Sequence, residues 1–91
     1  MLTTSVNLIG ENVVKKYKVL NTNMPGINQV GYQAFKSDFY THSSVYNKRV
    51  DANLFAESNA QWASQFDDPI ACLVCLKKGT RWVVVDQYNS H

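Results

Sequence analysis

Ile70-Ala71-Cys72-Leu73-Val74-Cys75-Leu76 is followed by Lys77-Lys78-Gly79-Thr80 and then by Arg81-Trp82-Val83-Val84-Val85-Asp86-Gln87-Tyr88. Two β-prone runs joined by a short polar segment containing glycine read as a β-hairpin. A hairpin that follows helical-looking material makes the class α+β. Gly79 is expected to take a positive φ in the turn, because glycine is the least strained residue there.

Working outward, residues 51–66 read as the best helix. Leu54, Phe55, Ser58, Trp62 and Phe66 follow helical spacing, and Ala52, Ala56, Ala60 and Ala63 raise the propensity. Asp51 is placed to cap its start, and Asp67-Asp68-Pro69 stops it. This helix is expected to pack on the sheet through Leu54, Phe55, Trp62 and Phe66, meeting Leu73, Val83, Val85 and part of Tyr17. Residues 27–39 also read as a helix, with Ile27, Val30, Ala34, Phe35 and Phe39 on one face. Asn21 to Gly26 reads as a loop.

Residues 4–20 admit two readings. Val6, Ile9, Val13, Tyr17 and Leu20 fit one amphipathic helix. Gly10-Glu11-Asn12 between two β-branched runs fits a hairpin instead, and glycine and asparagine weaken a helix interior. The hairpin is preferred. The fold expected is therefore one small α+β domain over residues 1–91, an antiparallel sheet with the C-terminal hairpin and one or two helices packed on it.

Composition excludes several classes. The chain has 91 residues, is 45% hydrophobic and 18% charged, and so is suited to fold rather than stay disordered. It is also short, which limits the core and favours a binding face over a buried cleft. The N-terminus lacks the pattern of a signal peptide. The longest apolar run is seven residues, against about 20 for a bilayer span. Two cysteines make no disulfide framework. These features point to the cytoplasm, or to the host cytoplasm if the gene is viral. Small size, absent motifs and loops rich in Asn, Ser and Gln are in the style of viral or mobile-element accessory and inhibitory proteins.

Cys72 and Cys75 form a C-x-x-C spacing, but on a strand residues three apart point to opposite faces. Their Cα atoms would stand about 10 Å apart, beyond the ~7 Å limit for a bridge. They are expected to be free, buried and small. Only His42 and His91 could complete a zinc site, and neither belongs to a paired motif. No G-x-S-x-G, P-loop or G-x-G-x-x-G occurs. No metal ligand, cofactor or catalytic residue is expected.

Charge placement says more. Eight of the nine basic residues fall in three clusters beside aromatics: Lys15-Lys16-Tyr17-Lys18, Tyr46-Asn47-Lys48-Arg49, and Lys77 to Trp82. Lysines at strand edges and hairpin tips serve solubility, yet cations beside aromatics also suit partners. The leading expectation is a small non-enzymatic binding protein that occupies a protein partner through Lys77, Lys78, Arg81 and Trp82. That partner could be a second copy of the chain, covering the Trp82 face of the sheet. The alternative is a single-stranded nucleic-acid-binding protein using Lys15, Lys16, Lys18, Lys48 and Arg49. A third, weaker reading is a metal-independent nuclease with His42 as base and Lys48 and Arg49 as cationic stabilisers.

Overall fold

The computed structural model describes residues 15–23, 25–34 and 41–91. The elements are β1 (Tyr17–Thr22), β2 (Gln33–Ala34), β3 (Thr41–Tyr46), α1 (Arg49–Ala63), β4 (Ala71–Lys78) and β5 (Arg81–Asn89). All strand pairs are antiparallel, in the order β2-β5-β4-β1-β3. Among the described residues the architecture is α+β, with α1 on a sheet that includes the C-terminal hairpin.

The hairpin forms as its residues dictate. Lys78 pairs with Arg81, leaving Gly79-Thr80 as a two-residue loop. Gly79 has φ +63°, and no residue other than glycine has a positive φ among those described. A left-handed first position followed by a right-handed second is the type II′ pattern, whose twist matches that of the strands. A Cβ on Gly79 would meet nothing within 4 Å, so only backbone strain opposes a side chain there. Gly79→Val is expected to cost about 1 kcal/mol or more. Differential scanning calorimetry should show a fall of at least roughly 4 °C for a domain of this size. An unchanged melting temperature would contradict the turn assignment.

Within the hairpin the register shifts. Val74 faces Asp86 but Cys75 faces Val84, so Val85 is an extra residue, a β-bulge. The bulge aims Asp86 at the start of α1. There Arg49 donates to the Val85 carbonyl at 3.0 Å and lies 3.6 Å from the Asp86 carboxylate, while Asn53 donates to Asp86 at 3.3 Å. One kink thus ties helix to sheet.

The sheet has two packed faces. On the α1 side, Tyr17, Val19, Cys72 and Val74 meet Ala52, Ala56 and Ala60, with Tyr46, Leu76, Val85 and Tyr88 at the margin. On the other side, Leu20, Ala71, Leu73, Cys75 and Val84 cluster beside Trp82. Period-2 alternation along β4 produces this split.

Several expectations are corrected here. α1 spans Arg49–Ala63 and begins after Lys48, which makes no side-chain cap; Asp51 lies in the first turn, where its charge favours the helix dipole. The helix does not pack through its large residues. Leu54, Phe55, Trp62 and Phe66 are exposed, and Ala52, Ala56, Ala60 and Ala63 are buried in their place. The physical reason lies in the sheet, which supplies the bulk through Tyr17, Tyr46 and Tyr88, so that only methyl groups fit beneath the helix. Tyr17 and Val85 do meet α1, but Leu73 faces away from it.

Residues 27–34 are not helical. Gly26 and Gly31 take φ of +86° and +89° and break the chain into turns, and Gln33–Ala34 forms β2 at the sheet edge. Positive φ is incompatible with a right-handed helix. The rest of that segment, 35–39, and residues 4–14 of the N-terminal hairpin expectation lie outside the described residues. Asn21 and Thr22, read as loop, end β1. Among the described residues, no helix is long and apolar enough to cross a membrane.

Candidate functional site

Two surfaces stand out, and both follow from the register. The first is an end of the sheet. β1 starts where β4 ends, since Tyr17 lies opposite Leu76 and Lys77 N–H donates to the Lys16 carbonyl at 2.9 Å. β3 ends there too, because Tyr46 pairs with Tyr17. β5 begins beside the end of β4, with Arg81 opposite Lys78. α1 starts just after β3, at Arg49. Antiparallel topology therefore gathers Lys15, Lys16, Lys18, Lys48, Arg49, Lys77, Lys78 and Arg81 at one end of the molecule. The three sequence clusters are a single basic end.

Among the described residues, most of these groups have no carboxylate partner. Among the described residues the one ion pair is Arg49–Asp86. Asp51 lies in the first turn of α1 near this end, and Glu57, the other carboxylate of α1, is almost two turns further along. Asp67 and Asp68 follow the far end of α1, so the charge is polarised along the sheet. At the basic end the face away from α1 carries Lys18 and Trp82. The Lys18 ammonium sits 5.3 Å from the Trp82 ring centre, within cation–π range. Trp82 is half-buried, and Lys77 lies directly opposite it in the ladder.

The structure brings Lys77, Lys78, Arg81 and Trp82 together, and adds Lys15, Lys16 and Lys18 to them. Trp82 and Val84 lie on the face away from α1, as the alternation implied. That face is closed over its centre, where Leu73, Cys75 and Val84 are buried. Its edge on β5 is tied to residues 29–32: Gly31 N–H donates to the Val84 carbonyl, Val84 N–H donates to the Tyr32 carbonyl, and Gln29 N–H donates to the Gln87 side chain. At the basic end this face meets solvent, with Lys77 exposed and Trp82 half-buried.

His42 is not brought to Lys48 and Arg49. It sits opposite Leu20 near the start of β3, whereas Lys48 and Arg49 follow the other end of that strand. Four residues of extended chain from His42 to Tyr46 already span about 13 Å. Lys48 is exposed and Arg49 is engaged with Asp86. His91 is held by its ring nitrogen on the Phe66 carbonyl, 2.8 Å away. Among the described residues, no group of three or more His, Cys, Asp or Glu is placed to hold a metal ion.

Cys72 and Cys75 are both free and buried, one in each core cluster. Burial pushes the Cys75 thiol up to about 12, against a small opposing pull from Lys18. Burial raises Cys72 as well, opposed by the Asn59 amide that donates to its sulfur at 3.4 Å. Raised thiols stay protonated at neutral pH and make poor nucleophiles.

The second surface is one that composition and spacing pointed inward: the outer side of α1. Val50, Leu54, Phe55, Trp62 and Phe66 are exposed there, Trp62 by 61%. The Trp62 and Phe66 rings lie 4.8 Å apart, and Phe55 lies 6.0 Å from Tyr46. The sequence did carry a signal for this arrangement. Ala52, Ala56, Ala60 and Ala63 recur at helical spacing on a different side from the aromatics, and two apolar stripes on one helix cannot both be buried by one sheet face. Compared with known proteins, the chain matches no family model, no curated protein and no solved structure.

Proposed function

We propose that this is a non-enzymatic binding protein that acts by occupying a protein partner, and that it does so with the outer side of α1. The observation that carries this reading is the inverted helix, with alanines against the sheet and Leu54, Phe55, Trp62 and Phe66 in solvent. At 41–61% exposure each such side chain still forgoes part of the roughly 1.5–3 kcal/mol that full burial supplies. Two aromatic pairs along one helix, Phe55 with Tyr46 and Trp62 with Phe66, mark an interaction surface. Tryptophan is enriched among residues that dominate binding energy, and a tilted ring contact with Phe66 restricts the Trp62 ring in advance.

The partner this surface fits is an apolar groove with an acidic margin. The groove would take the aromatic stripe, as in helix-in-groove recognition. The margin would face Lys48 at the start of the helix, which is exposed and makes no side-chain cap.

The test is the double variant Trp62→Ser/Phe66→Ser. Both positions are exposed, so in urea titration stability should fall by no more than about 1–2 kcal/mol, chiefly the worth of their ring contact. Cross-linking and mass spectrometry on host lysate should recover a stoichiometric protein with the wild type and lose it with the variant. An unchanged set of captured proteins would reject the surface. A loss of several kcal/mol in stability would show that the stripe is core.

A further inference from the structure

The basic end is a second surface, independent of α1. We infer that it binds single-stranded nucleic acid, with phosphates on Lys16 and Lys77 of the Trp82 face and, around the hairpin tip, on Lys78 and Arg81, and a base against the open part of the Trp82 ring.

Edge protection does not account for these lysines. Lysines guard sheets at edge strands, but Lys18 and Lys77 lie on β1 and β4, which are interior in the order β2-β5-β4-β1-β3. Nor are they used for internal ion pairing, since Arg49–Asp86 is the one such pair among the described residues. On the Trp82 face, Lys16 at the start of β1, Lys77 on β4 and Trp82 on β5 stand side by side at about 4.8 Å strand spacing, a row about 10 Å wide, with Lys78 and Arg81 on the other face at the hairpin tip. At about 3.4 Å per stacked nucleotide, that row matches roughly three phosphates.

Chemistry separates the candidate polyanions. Protein interfaces are depleted in lysine and rely on arginine and aromatic anchors. Here lysine dominates, and lysine serves phosphate as a point charge. Trp82 adds a π-face at the same place, held beneath Lys18. Base stacking on such a ring, beside a cationic track, is how unpaired strands are bound. A duplex keeps its bases stacked inside and would leave the ring unused.

Trp62→Phe makes Trp82 the only tryptophan, because the chain has two. Its emission can then be followed while oligo-dT or oligo-U of about 12 nucleotides is added to the full chain. The expected result is quenching, with an affinity that falls with salt at a log–log slope of about −2 for three phosphates. Lys77→Glu/Lys78→Glu, both exposed, should keep the circular dichroism spectrum and weaken binding about tenfold or more. Three results would overturn the inference: no quenching at low salt, tighter binding of duplex DNA, or equal binding of polyglutamate of matched charge. Equal polyglutamate binding would make the end an acidic-protein contact. Because Trp62→Phe keeps an aromatic ring on α1, failure here leaves the α1 surface untouched.

Discussion

Leu73→Ala is expected to destabilise the protein by about 2–5 kcal/mol, the range for a large aliphatic truncated in a core. Leu73 has no solvent exposure and sits in the cluster with Leu20, Cys75 and Val84, on the sheet face turned from α1. A chain of 91 residues holds about 5–14 kcal/mol in total, so the loss is a large share. Urea titration should show the midpoint drop at unchanged slope, and the melting temperature should fall by at least roughly 8 °C. The result also decides whether the second face is a true core. A change under about 1 kcal/mol would mean that this face is loosely packed.

Ala56→Leu is expected to cost about 1–3 kcal/mol, although the substitution adds apolar area and gives up little helix propensity. Ala56 has no solvent exposure and lies between α1 and the side chains of the sheet. Three extra carbons there must lift the helix or drive a neighbour off its rotamer. The same substitution at Ser58, exposed on the same helix, should lie within about 0.5 kcal/mol of wild type. Comparing the two by thermal denaturation isolates packing from propensity. If Ala56→Leu were stabilising, the helix would be standing off the sheet, and the argument for an inverted helix would fall.

What could be read from the residues was what is local. The hairpin was legible because Lys78-Gly79-Thr80-Arg81 carries its own turn chemistry between two β-branched runs. The divergence of Cys72 and Cys75 followed from strand period alone, and the two sulfurs do fall in separate clusters. The position of α1 was legible, but its orientation was not. Size favours burying Trp62 and Phe55 over alanine, and only the sheet's tyrosines, distant in sequence, reverse that preference. Residues 27–34 misled because Ile27, Val30 and Ala34 share a helical face, while Gly26 and Gly31 on either side of Val30 carried the opposing signal. The basic end was legible only in pieces. Lys16 and Lys77 are far apart along the chain, and the register of β1 against β4 is what makes them neighbours.

That same register has a consequence in time. β1 is hydrogen-bonded to β4, whose residue Leu76 is made long after Tyr17. At about 5–20 residues per second, β1 leaves the ribosome roughly 3–12 s before the strand it needs. Pairing at such separation is slow even for a free chain. In that interval β1 has β3 and α1 to pack on, so the helix alanines can meet Val19 while Leu20, on the other face, waits for β4 and β5. Two strands and a helix with one apolar face still open make a weak fragment. A chaperone that holds extended apolar segments would find its substrate in this half-built sheet, and synthesis of the hairpin would be the event that displaces it.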